Sequence, residues 1–432
     1  MRVLLTSFAM DAHFCTAVPL AWALRSAGHE VRVAGQPALT STITGAGLTA
    51  VPVGRDHTHG SLLGRVGSDI LALHDEADYL EARHDALGFE FLKGHNTVMS
   101  ALFYSQINND SMVDDLVDFA RHWRPDLVVW EPFTFAGAVA ARASGAAHAR
   151  LLSFPDLFLS TRRLFLERMA RQEPEHHDDT LAEWLDWTLG RHGHSFDEEI
   201  VTGQWSIDQT PAPVRLDAGG PTVPMRYVPY SGLVPTVVPD WLRRPPERPR
   251  VLVTLGITSR RVKSFLAVSV DDLFEAVAGL GVEVVATLDA DQRELLGRVP
   301  DHFRIVEHVP LDAVLPTCSA IVHHGGAGTW STAAVYGVPQ VSLGSMWDHF
   351  YRARRLEELG AGLRLPSGEL TAEGLRTRLE RVLGEPSFGT AAQALSDTIA
   401  AEPSPSEVVP VLEELTGRHR PGTREPFRAL RA

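Results

Sequence analysis

Apolar residues recur along the chain in short runs separated by helical stretches. Val3-Leu4-Leu5 predicts a buried strand over residues 2–7. Residues 15–27 then carry apolar positions at helical spacing and stop at Gly28, where a helix C-terminus favours glycine. A second strand follows over 30–34, a short helix over 39–46 closed by Gly47, and a third strand over 48–53. The rhythm returns with a strand over 126–130 and an Ala-rich helix over 135–143 that Gly145 ends. Strand and helix alternating in this way predict a parallel sheet with helices on both faces. Between 62 and 123, and again between 161 and 201, the pattern is helical and polar. These stretches read as insertions that either pack or build pockets.

Residues 230–249 are rich in proline, with Gly232 and the pair Arg243-Arg244, and predict a stiff linker. Alternation then restarts: a strand over 250–255, a helix over 271–278, and strands over 282–288, 304–306, 320–323 and 340–343. A last helix is expected over 406–415, and the tail beyond 418 is Arg- and Pro-rich. The expected fold class is α/β, two Rossmann-like, doubly wound domains in tandem. Their expected bounds are 1–229 for the first with its insertions, 230–249 for the linker, 250–402 for the second, and 403–432 for the final helix and tail.

A chain of 432 residues suits two such domains. The net charge of −14 argues against general binding to nucleic acid or to an anionic membrane. Cys15 and Cys318 are the only cysteines and lie far apart, so neither a disulfide framework nor a cysteine zinc site is expected, as suits a reducing cytoplasm. The apolar start is too short for an export signal, because Asp11 and His13 interrupt it. Residues 313–347 hold no Asp, Glu, Lys or Arg, yet prolines, histidines and glycines punctuate them, so buried strands and a special loop are expected rather than a membrane span.

Three loops carry candidate chemistry. His323-His324-Gly325-Gly326-Ala327-Gly328-Thr329 follows an apolar strand and opens a helix. Glycines allow close backbone approach, and the helix start presents free N–H groups, which together suit a phosphate. The plainer reading is a glycine turn. Thr258-Ser259-Arg260 follows the first strand of the same half and would share that sheet edge, as a second anion loop or as a solvated turn. In the first half no Gly-rich fingerprint follows the opening strand; His13 stands there instead. An imidazole at a sheet edge is a natural general base when a carboxylate orients it. Glu131 ends a strand on the same edge, Asp11 is the local competitor, and a capping role for His13 stays open. Asp289-Ala290-Asp291 matches a metal-binding pattern but also a helix N-cap, and His176-His177-Asp178-Asp179 reads as solvated surface. Trp184, Trp187, Phe154, Phe158 and Phe165 could line an apolar acceptor pocket or be ordinary core.

Several segments together resemble the GT-B glycosyltransferases of family 1, and within them actinobacterial deoxysugar transferases of the desosaminyltransferase type. They are residues 18–23, 27–31, 123–132, 311–315, 323–329, 337–340 and 401–405. The resemblance implies two domains facing a central cleft, a TDP-sugar in the C-terminal domain and a polyketide or macrolide aglycone in the N-terminal one. It implies diphosphate contacts at Thr258, Ser259, His324, Gly326, Gly328 and Thr329, base recognition at His308 and Val309, and sugar contacts at Asp348 and His349. It implies His13 as catalytic base with Glu131 as its acidic partner, no metal, no cofactor beyond the TDP-sugar donor, and a P450-like activator protein as partner. A homo-oligomer is compatible with it. Two positions depart from the family pattern. His349 stands where many relatives have Gln, which suggests a donor with few hydroxyls, and Glu131 stands where many have Asp. The expected reaction is inverting transfer of a deoxy- or aminodeoxysugar to an aglycone hydroxyl. The alternatives are a sugar-nucleotide epimerase of the same fold, a non-catalytic helper subunit and an NAD-dependent oxidoreductase; the phosphate loops disfavour the second and the missing fingerprint the third.

Overall fold

The computed structural model describes residues 1–60, 87–230, 232, 237–254, 270–277, 279–288, 293, 302–344, 347–366 and 369–419. Seven parallel strands form the first sheet: β1 Arg2–Thr6, β2 Glu30–Gly35, β3 Ala50–Pro52, β4 Leu127–Trp130, β5 Ala147–Leu152, β6 Trp205–Asp208 and β7 Thr222–Pro224. Six form the second: β8 Arg250–Thr254, β9 Glu283–Thr287, β10 Phe303–Val306, β11 Ala320–His323, β12 Gln340–Ser342 and β13 Gly362–Arg364. The first runs in the order β3-β2-β1-β4-β5-β6-β7 and the second β10-β9-β8-β11-β12-β13. Both are doubly wound. Strand order reverses between β1 and β4 in one sheet and between β8 and β11 in the other. Loops diverge at such switch points and leave a crevice beyond the carboxyl ends of the strands.

β1 lies at the centre of its sheet because Val3, Leu4 and Leu5 bury on both faces, which only a strand covered by helices on each side can do. Its register sets Thr6 beside Ala34 of β2 and Trp130 of β4, so the residues after Thr6 and after Trp130 emerge at one edge. The helix expected over 15–27 is two helices, Asp11–Cys15 and Val18–Ser26, the second with a proline in its first turn. Gly28, Gly47 and Gly145 all have positive φ, the backbone that ends their helices.

β5, β6, β7 and β13 were outside the expected strands. In β5 the run Ala-His-Ala-Arg-Leu-Leu hides its nature, because His148 and Arg150 are buried like their apolar neighbours. The Arg150 guanidinium is balanced by Asp156 at 2.6 Å, Ser206 Oγ at 2.7 Å and the Thr202 carbonyl at 2.9 Å. A buried charge persists only when paired and hydrogen-bonded in this way. The insertions are helical where described: Phe89–Met99, Asp110–Trp123, Leu157–Met169 and Thr180–Gly190. Asp179, expected on a solvated surface, instead caps the last of these and pairs with Arg162 at 2.6 Å.

The final helix, Pro405–His419, returns to the first sheet. Val408, Val409 and Leu412 bury among Val3, Leu5, Leu24 and Leu127. His29 Nε2 pairs with Glu413 at 3.0 Å. Among the described residues no helix is long and apolar enough to cross a membrane.

Candidate active site

His13 sits in the short helix Asp11–Cys15 that follows β1, and Glu131 is the first residue after β4. The two therefore flank the first sheet's switch point. His13 Nδ1 lies 2.9 Å from Glu131 Oε1, while Glu131 Oε2 accepts from Phe133 N at 2.9 Å and Thr134 Oγ1 at 3.0 Å. The carboxylate is buried and fully engaged on both oxygens. It holds the proton on Nδ1 and leaves Nε2 as the basic nitrogen. Asp11 is drawn elsewhere, since Thr42 Oγ1 donates to it at 2.7 Å. The loop before His13 is fixed on both sides: Phe8 N donates to Thr134 Oγ1 and Ala9 N to Gln36 Oε1. Rings wall the imidazole, with Phe8 at 4.7 Å, Phe133 at 6.1 Å and Phe154 at 6.3 Å.

The second sheet's switch point carries the glycine loop. His323 ends β11 with no exposed surface. Its Nε2 donates to Gln340 Oε1 at 2.8 Å and its Nδ1 accepts from Gly325 N at 3.0 Å. Burial pushes its pKa down to about 3, so it is a neutral brace for the loop. Gly325 has φ +97°, and a side chain there would meet His349 at 2.9 Å. A Cβ on Gly326 would meet His324 Nε2 at 2.3 Å. At Gly325 the positive φ and the nearby His349 Cβ call for glycine, whereas at Gly326 the near neighbour is the tip of the His324 side chain. Gly326 caps the helix Ala327–Val335 without any side-chain bond, so its first N–H groups face outward at Gly328 and Thr329. Tyr227, from beyond β7, reaches across to lie 3.4 Å from the Gly328 carbonyl and from Thr332 Oγ1.

Asp348 and His349 open the helix Asp348–Glu358. Arg352, one turn on, pairs with Asp348, and its other terminal nitrogen donates to the Gly325 carbonyl at 2.6 Å. One guanidinium, 2 % exposed, thereby ties the acidic residue to the glycine loop. Burial pushes the Asp348 carboxyl up, while Arg352 and then His13 pull it back. Trp347, the residue before Asp348, lies 5.4 Å from the Phe133 ring, which brings the two switch points together. The His349 ring stands edge-on to His324 at 5.6 Å, held well below ordinary histidine pKa by burial and Arg352.

His308 follows β10 half-buried, and the Val309 side chain is core, packed with Leu252 and Ile321. Thr258, Ser259 and Arg260 lie outside the described residues, as do Asp289 and Asp291. Of the aromatic candidates, Phe154 stands at the site. Phe158 and Phe165 are core, Trp184 packs edge-on against Phe135, and Trp187 is 79 % exposed. Among the described residues no cluster of three or more His, Cys, Asp or Glu could hold a metal ion. Sequence reasoning missed Arg352, Trp347 and the bracing role of His323. Only Arg352 left a signal, its i,i+4 spacing from Asp348.

Comparison with known proteins adds the lineage. The Erythromycin biosynthesis protein CIII-like N-terminal domain matches residues 22–256, and the corresponding C-terminal domain matches residues 271–415. The chain is 60 % identical to an aklavinone 7-beta-L-rhodosaminyltransferase of Streptomyces galilaeus, over 99 % of this chain and 98 % of the relative. It is 53 % identical to a 10-deoxymethynolide desosaminyltransferase of Streptomyces venezuelae, over 97 % and 98 %. The solved glycosyltransferase VinC, in complex with dTDP, superposes with a TM-score of 0.86 at 40 % identity over 97 % of this chain and 100 % of VinC. The spinosyn forosaminyltransferase SpnP, the individual protein that the sequence motifs suggest, superposes at 0.80 with 41 % identity over 96 % of this chain and 99 % of SpnP. At that identity the two are relatives and not one protein. Two doubly wound sheets, a glycine loop at one switch point and a His–Glu pair at the other thus accompany full-length similarity, and the chain belongs to the Erythromycin biosynthesis protein CIII-like family of GT-B glycosyltransferases.

Proposed function

We propose that this glycosyltransferase moves a deoxy- or aminodeoxysugar from a TDP-sugar to a hydroxyl of a polyketide aglycone, with inversion at the anomeric carbon. The observation that carries the reading is the 2.9 Å bond from His13 to a buried Glu131 at the first sheet's switch point, in a chain whose second sheet carries the glycine loop and the helix start at Gly328 and Thr329. The acceptor oxygen attacks the anomeric carbon as His13 Nε2 takes its proton. The bond from that carbon to the phosphate oxygen breaks, and its electron pair leaves with TDP. Glu131 stabilises the imidazolium that forms. The departing charge is met by the N–H groups of Gly328 and Thr329 and by His324, with Thr258 and Ser259 assigned to the second phosphate loop. His308 and Val309 are assigned to the base, and Asp348 and His349 to the sugar. The reading invokes no metal and no redox cofactor.

Relatives support the substrate class: one is named a TDP-daunosamine transferase and others act on aklavinone and 10-deoxymethynolide. The subgroup resemblance extends the proposal to a P450-like activator protein and to a cytoplasmic setting; a pull-down with the candidate activator tests the partnership. The reaction itself is tested by incubating the chain, with and without the candidate activator, with a TDP-deoxysugar and a polyketide aglycone and weighing the products by mass spectrometry. A new mass equal to aglycone plus sugar, dependent on both substrates, is expected. Conversion of the donor alone, with no glycoside, would establish the epimerase instead.

A further inference from the structure

Trp347 stands immediately before Asp348, at the head of that helix, with φ +35°. For a bulky side chain such backbone is strained and persists only where the surroundings hold it. Here the surroundings include two rings of the other domain, beside apolar side chains of both domains. The indole lies 5.4 Å from the Phe133 ring, with the planes 19° apart, and 6.3 Å from Phe154. Phe133 and Phe154 are 5.3 Å apart and 25° from parallel. Both flank His13, at 6.1 and 6.3 Å. Near-parallel, offset rings are an arrangement that aromatic quadrupoles favour. Phe133 comes from just after β4 and Phe154 from just after β5, whereas the indole comes from the domain of the glycine loop. The contact therefore joins the two domains beside His13.

We propose that Phe133 and Trp347 are the two jaws of an acceptor clamp, one from each domain, and that the ring they admit is flat and aromatic, as in a fused-ring polyketide alcohol. This names the acceptor class for the transferase reading above and rests on that reading. The two jaws lie in contact, their ring centroids 5.4 Å apart. A flat ring entering between them needs a stacking distance of about 3.5 Å on each face. The jaws then part by roughly the thickness of one ring, and the domains that carry them part with them. Held on both faces, the acceptor keeps its hydroxyl beside His13. A puckered macrocyclic lactone presents no flat face and gains little from either jaw. The strained backbone of Trp347 has a use in this arrangement, because it sends the indole across the gap rather than along its own helix.

Steady-state kinetics of wild type, Trp347→Phe and Trp347→Ala test the clamp. One TDP-deoxysugar is used with two acceptors, a fused-ring aromatic polyketide alcohol and a macrolactone, and TDP affinity is measured by calorimetry. For the flat acceptor, Trp347→Ala should raise KM about ten-fold or more, the loss expected when a buried aromatic anchor is truncated. Trp347→Phe should restore most of it. TDP affinity, and KM for the macrolactone where it is turned over, should stay within about two-fold. A wild-type KM for the flat acceptor in the Ala variant overturns the clamp. So does an equal loss on both acceptors, a matching loss of TDP affinity, or a wild type that accepts only the macrolactone. If Trp347→Ala does not fold, Trp347→Leu, bulky but without a ring, is judged by the same criteria. Transfer to neither acceptor by the wild type, with the candidate activator present, brings down the transferase reading itself, and the clamp with it.

Discussion

His323 shows how one side chain can shape a loop without touching a ligand. Its two ring nitrogens are spent on Gln340 and Gly325, and burial keeps it neutral with a pKa near 3. The unfolded chain binds a proton on this residue below about pH 6.5, whereas the folded chain resists it. The stability it contributes is therefore fully present above that value and is lost as pH falls from about 6.5 towards 3, at up to about 1.4 kcal/mol per pH unit. Thermal unfolding at pH 4.5 and 7 should show a smaller gap in His323→Asn than in wild type; an unchanged gap would remove His323 as the source. At this scale much of the candidate chemistry was legible. His13 and Glu131 follow apolar strands in the sequence, and such strand ends meet at one edge. Choosing Glu131 over Asp11 required the fold, because only the register of β1 against β4 brings Glu131 to the imidazole. Trp347 was hidden, since a positive φ leaves no trace in residue type.

The glycine loop is the element to which the proposed function assigns donor binding. Its sequence betrayed it because a strand, three glycines and a helix start are a small set of local requirements. A methyl group on Gly326 would press on His324 Nε2, so the imidazole must shift from its present place. Gly326→Ala should thus weaken TDP binding about ten-fold or more, while the unfolding temperature stays near wild type. Calorimetric titration with TDP reads the first and a melting curve the second; wild-type affinity would take His324 out of the donor site. Other elements were less legible. β5 reads as polar because its buried Arg150 and His148 find partners only in the tertiary structure. The same masking applies to Asp179, whose partner Arg162 lies seventeen positions earlier in another helix.

At the scale of the whole molecule, each sheet carries candidate site residues at its switch point, the His13–Glu131 pair on the first and the glycine loop on the second, and the proposed reaction draws on both. Such a division requires the domains to be held in register. The Pro405–His419 helix contributes by returning from the second domain to the first sheet, and Arg226 N donates to the Pro403 carbonyl at 2.7 Å where it crosses. Leu412 is fully buried in the first domain's core. Leu412→Ala should cost about 2–4 kcal/mol in urea unfolding, followed by the fluorescence change of the first domain. A loss below about 0.5 kcal/mol, the scale of a surface substitution, would mean the helix is dispensable there. The tandem α/β plan was readable from strand–helix rhythm, but this return was not, since nothing local tells a terminal amphipathic helix which sheet it will cover.

The central claim is that His13 takes the acceptor proton while the opposite domain holds the nucleotide. It is tested most directly by measuring kcat for glycoside formation and TDP affinity together in His13→Ala. The account predicts kcat lower by about 10²–10⁴ with TDP affinity unchanged. A variant that retains kcat within about three-fold of wild type would contradict it.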